Sequence, residues 1–125
     1  MMMKRKLRNE EILLISILVK YAGKEHAYLL DNIENLFAEE MNDGGMGSLL
    51  IFGNDNVDRK LGKCIAEASF CDDDETPVIV GLNIDNYQDL FELDMWKADG
   101  SPLISLPDVK NVSKLGDGDV PVTNW

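Results

Sequence analysis

Residues 77–97 read P-V-I-V-G-L-N-I-D-N-Y-Q-D-L-F-E-L-D-M-W-K. Val78, Val80, Leu82 and Ile84 alternate with Ile79, Gly81 and Asn83, the period of two that marks a half-buried strand. Turn-forming residues from Asp85 to Asp89 come next. Phe91, Leu93 and Met95 then alternate with Glu92, Asp94 and Trp96. Two strands joined by so short a link pair antiparallel.

Working upstream, the same period occurs in Lys63 to Cys71, with Cys64, Ala66, Ala68 and Phe70 set against Ile65, Glu67, Ser69 and Cys71. The acidic stretch Asp72-Asp73-Asp74-Glu75 reads as the hairpin turn into the next strand. Ser48 to Phe52 is short and β-like, and Gly53-Asn54-Asp55-Asn56 is another turn. Before Gly44 the period is helical. Asn9 caps a helix whose first turn carries Glu10 and Glu11, which complement the dipole. Ile12, Ile15, Leu18 and Val19 recur at helical spacing until Gly23. A second helix is expected over 24–35, with Ala27, Leu30 and Ile33 inward; residues 36–41 read equally as its continuation or as a strand.

The fold class expected is α+β. Two N-terminal helices, 9–22 and 24–35, pack on one face of a four- to five-stranded antiparallel meander. Residues 1–8 form a basic tail, 9–107 a single domain, and 108–125 an irregular tail. The 125 residues suffice for one core.

Charge narrows the partners. Four of the 12 basic residues (Lys4, Arg5, Lys6, Arg8) lie in the first eight positions. The remaining eight against 23 acids leave −15 from residue 9 onward. Such a body disfavours nucleic acid, whose phosphates are bound by Lys and Arg, and suits a basic protein partner. The apolar run Ile12–Val19 is too short to span a bilayer, and Glu10 and Glu11 interrupt any signal-peptide pattern before it. Cys64 and Cys71 sit at an odd spacing, so one strand would place them on opposite faces; free buried thiols in a reducing cytoplasm are expected.

Catalytic signatures are sparse. His26 stands alone, without a second histidine for a metal site or a recognisable triad partner. Asp72–Glu75 lacks the glycine and distal Glu of a calcium loop. Neither metal nor cofactor is expected, and no catalytic residue is assigned. The glycine stretch Met41-Asn42-Asp43-Gly44-Gly45-Met46-Gly47-Ser48 is a bend between elements, since the residues after it look like a strand. A phosphate loop would lead into a helix. A small-anion nest using Gly44, Gly45, Gly47 and Ser48 is the alternative reading.

One sheet face gathers polar groups. If the strands hold, Glu67, Asn83, Glu92, Asp94 and Trp96 share it. The two carboxylates on alternate residues lie about 7 Å apart, close enough for a carboxylate-dependent hydrolase, although any acidic sheet surface would present the same spacing. Trp96 must be covered by the segment at Pro102, Leu103 and Leu106 or used as a contact. The expected function is non-catalytic binding of a basic protein through these five residues. The motifs Met41–Leu49, Phe91–Lys97 and Ser101-Pro102-Leu103 together resemble a family of small uncharacterised bacterial proteins over roughly residues 5–107. In size, acidity and helix-plus-sheet pattern the chain is similar in type to bacterial immunity proteins.

Overall fold

The computed structural model describes residues 3–115. Its centre is one seven-stranded sheet, every pairing antiparallel. The strands are β1 (Arg5–Lys6), β2 (Phe37–Glu40), β3 (Leu49–Phe52), β4 (Leu61–Cys71), β5 (Pro77–Asp85), β6 (Leu90–Lys97) and β7 (Ser113–Leu115). Their spatial order is β1-β2-β3-β6-β5-β4-β7.

This corrects the expected four- to five-stranded meander. After β3 the chain crosses to β4 and returns through β5, so β6 lands beside β3, with Leu49 opposite Leu93 and Leu50 opposite Glu92. β1 lies inside the stretch read as a basic tail, and β7 inside the stretch read as an irregular tail. Two- and three-residue strands are too short to show a period, so alternation could not reveal them.

The second correction concerns the helices. Among the described residues one α-helix forms, α1 (Asn9–Ala22). The stretch expected to be a second is a 3-10 helix, Lys24–Leu30, followed by a 3-10 turn at Ile33–Asn35. Gly23 at φ 118° and Asn32 at φ 59° bracket it, leaving too few residues between two breaks for α-helix to propagate. Leu29 and Ile33 point inward, whereas Ala27 is exposed.

At its start α1 is fixed by Glu11. Its carboxylate takes both guanidinium arms of Arg5 at 2.8 Å and the Arg8 N–H at 2.8 Å. Leu14, Ile15, Leu18 and Val19 then lie against Ile51, Val78, Val80, Leu82 and Leu93 from the sheet. These side chains are 0–2% exposed, and each contributes about 1.5–3 kcal/mol of apolar burial.

The alternation expected for β5 matches the burial pattern, with Val78, Val80, Leu82 and Ile84 buried. In β6 a bulge opposite Asn83 and Ile84 inserts Phe91. Phe91 is therefore only half-buried, outside the Leu93–Met95 row expected for it. β4 carries a bulge between Cys64 and Ala66, which turns Cys64 outward, opposite Asn83. Both cysteines are free and exposed, contrary to the expectation of buried thiols.

Candidate functional site

The register assembles the outward face of the sheet. Cys64, Asn83 and Glu92 form one row across β4, β5 and β6. Glu67, Gly81 and Asp94 form the next, and Ser69, Ile79 and Trp96 the one after. The five residues singled out in the sequence thus lie on one contiguous surface, opposite the face that α1 covers. Asn83 Nδ2 donates to Glu92 Oε1 at 2.7 Å.

Gly81, itself buried, lies in the row between Glu67 and Asp94. A Cβ there would sit 3.6 Å from Cys64 Sγ and 3.9 Å from Glu67 Cγ. Although Cys64 is exposed as a residue, partial desolvation of its Sγ pushes the thiol up, and the Glu67 and Asp94 carboxylates add to the rise, so this thiol is a poor nucleophile near neutral pH.

Trp96 is 46% exposed. The segment after Pro102 lies on the other side of the sheet: Leu103 N–H donates to the Gly45 carbonyl, and Leu103 packs against the buried core.

The glycine loop folds on its own acid. Asp43 accepts the Met46 N–H at 3.1 Å on one oxygen and the Ser48 N–H at 3.0 Å on the other. Gly44, Gly45 and Gly47 take φ of 78°, 83° and 101°, a region that favours glycine. The N–H groups of Met46 and Ser48 are thus engaged by a carboxylate of the chain itself. The Ser48 hydroxyl accepts from Met95 N–H and donates to Met95 O, tying the loop to β6.

The acidic turn holds a buried cation that sequence reading missed. Lys97 is 0% exposed, and its ammonium donates to Asp72 and Asp74, each at 2.8 Å, and to the Pro102 carbonyl at 3.2 Å. Asp72 also accepts the N–H groups of Asp73, Ile104 and Ser105. Burial alone would push the Asp72 carboxyl up; the Lys97 ammonium and these N–H groups instead hold it at about 2. The signal was present, because Lys97 follows Leu93 and Met95 at the inward period.

A second missed cluster sits where β3 and β6 meet the loop before β4. Arg59 Nε donates to the buried Asp85 at 2.8 Å, and Nη2 donates to the carbonyls of Ile51 and Leu90. Its guanidinium lies 5.1 Å from the Phe91 ring centroid, and Lys4 Nζ lies 3.9 Å from that of Phe52. These groups line an open hollow of about 540 Å³.

His26 lies in the 3-10 helix, its Nε2 3.9 Å from Glu25. Among the described residues no group of three or more His, Cys, Asp or Glu could hold a metal ion, and no helix is long and apolar enough to cross a membrane.

No curated protein and no solved structure matches this chain. A family model does match, over residues 4–107, a span holding β1 to β6, the outward face, the glycine loop and the Lys97 clasp. The chain belongs to the family described as a domain of unknown function, DUF6984.

Proposed function

We propose that this protein is a non-catalytic binding module that recognises a basic protein surface through the outward face of its sheet. The observation that carries this reading is Trp96, 46% exposed on the face where Glu67, Glu92 and Asp94 gather around Gly81. A large indole beside acids gains from being desolvated by a partner, and Trp is the residue type most enriched among energetic anchors. The carboxylates draw in a cationic surface and exclude acidic competitors. The charge of −15 from residue 9 onward reinforces the attraction.

The chemistry supports binding over turnover. Glu92 is tied to Asn83 rather than poised beside a nucleophile, and the neighbouring Cys64 thiol is raised. An immunity-type role, in which an acidic protein caps a basic toxin, fits this surface. The two exposed free thiols suit a reducing compartment.

The test begins with affinity capture using the full chain as bait, then titration of the recovered partner in purified form. Replacing Glu92 with Gln and Asp94 with Asn slows association about tenfold at low ionic strength, and the deficit shrinks as salt is raised. Association rates identical to wild type at low salt would remove the acidic face from recognition.

A further inference from the structure

The sheet parts between β3 and β6, and Arg59 fills the gap. β3 runs to Phe52 and β6 starts at Leu90, yet their pairing ends where Leu50 faces Glu92. Beyond that pair the carbonyls of Ile51 on β3 and Leu90 on β6 both accept from Arg59 Nη2, at 2.9 Å each. Asp85 holds Arg59 Nε at 2.8 Å. Three bonds thus fix the guanidinium, and among the described residues no hydrogen bond engages Nη1.

The parted strands border the open hollow of about 540 Å³, a volume within the range of small-molecule sites. Phe52 and Phe91 line it. The guanidinium carbon of Arg59 lies 5.9 Å from the first ring centroid and 5.1 Å from the second. Lys4, itself exposed, sets its ammonium 3.9 Å from the Phe52 centroid. Among the described residues no acid pairs with that ammonium.

We infer that this hollow binds a small molecule carrying one carboxylate on a planar apolar body. The two rings are flat apolar walls, against which a planar group stacks. Arg59 Nη1 and the Lys4 ammonium are charged donors that a carboxylate accepts. Because Lys4 is exposed, its ammonium can turn from the Phe52 ring to the ligand. A cationic ligand would meet both of these groups. A phosphate ester, with a charge of about −1.5 to −2, fits less well. Asp55 stands on the lining and Asp85 already pairs with Arg59, so two carboxylates offset the two cations. Recognition then rests on directed donors instead of a strong positive field. Glu92 does not oppose the ligand's carboxylate from close by. Its side chain accepts from Asn83 on β5, on the far side of β6 from β3. Glu67, Asn83, Glu92, Asp94 and Trp96 take no part in this site, so either reading survives the failure of the other.

Isothermal titration calorimetry of the full chain with 2-naphthoate, at concentrations up to about 1 mM, tests this. Wild type binds 2-naphthoate, and binds 2-naphthamide and cyclohexanecarboxylate about tenfold more weakly. It holds 2-naphthyl phosphate no more tightly than the carboxylate. Lys4→Ala, at an exposed position, weakens 2-naphthoate by about threefold to tenfold. Phe52→Leu narrows the gap between 2-naphthoate and cyclohexanecarboxylate. In wild type the side-chain N–H resonances of Arg59 move as 2-naphthoate is added, which locates the ligand without any substitution. No heat with 2-naphthoate, an amide held as well as the acid, a phosphate held more tightly, an affinity unchanged by Lys4→Ala, or Arg59 resonances that stay in place would overturn the inference.

Discussion

Replacing Asp72 with Asn removes the charge from the centre of the clasp while keeping the shape of the side chain. Lys97 is then left 0% exposed with Asp74 as its remaining carboxylate and Pro102 as its carbonyl partner. The amide must also turn a donor toward either the Lys97 ammonium or the N–H groups of Ile104 and Ser105, which previously met acceptors. Removing one partner of a buried ion pair costs about 3–5 kcal/mol; with Asp74 still in place the lower end applies, about 3 kcal/mol. For a domain of this size that lowers the melting temperature by roughly 10–15 °C. Urea unfolding followed by far-UV circular dichroism reads the difference, with exposed Asp73→Asn as the neutral comparison. The pH dependence comes from linkage. Asp72 is held at about 2 against 3.8 in an ordinary Asp. A depressed carboxyl stabilises the fold fully above about pH 4 and loses that contribution as pH falls toward 2. The gap between wild type and Asp72→Asn therefore narrows over that window. A loss below about 1 kcal/mol at neutral pH, or a gap constant from pH 4 to 2, would refute the clasp as a stabilising element.

Asp43→Ala leaves the Met46 and Ser48 N–H groups without their acceptor; urea unfolding should show a loss of about 1–2 kcal/mol. Arg59→Lys keeps a charge near Asp85 but cannot span Asp85 and the carbonyls of Ile51 and Leu90 together. A loss of about 2 kcal/mol is expected in the same assay, and an unchanged midpoint would show that a point charge suffices.

Legibility in the sequence tracked the period of the apolar residues. β5 needed no correction because Val78, Val80, Leu82 and Ile84 keep one face buried throughout, although Gly81 and Asp85 are buried as well. α1 was legible for the same reason, with Gly23 marking its end. The failures arose where period is absent or interrupted. β1 and β7 are two and three residues long and borrow their order from neighbouring strands. The bulges at Phe91 and in β4 reverse a face without any unusual residue type to announce them. The stretch after Gly23 has an apolar spacing compatible with either helical form, and the break at Asn32 decided between them. The outward set Glu67, Asn83, Glu92, Asp94 and Trp96 lies on one face because it spans stretches where register and alternation agree. The acidic stretch was read only as a hairpin turn, because composition says nothing of a lysine 23–25 residues away in the chain.

Trp96 and Leu13 offer the most direct test of the outward face as a recognition surface. Both are large, apolar and exposed, at 46% and 56%, but Trp96 stands on the outward face of β6 and Leu13 on α1, the other layer. The measurement is the dissociation constant of the purified partner for Trp96→Ala and Leu13→Ala, each variant first shown by urea unfolding to keep wild-type stability. Trp96→Ala should weaken binding by about 2 kcal/mol, roughly 30-fold, while Leu13→Ala leaves it unchanged. Equal affinity for Trp96→Ala and wild type, or a loss confined to Leu13→Ala, would contradict the account.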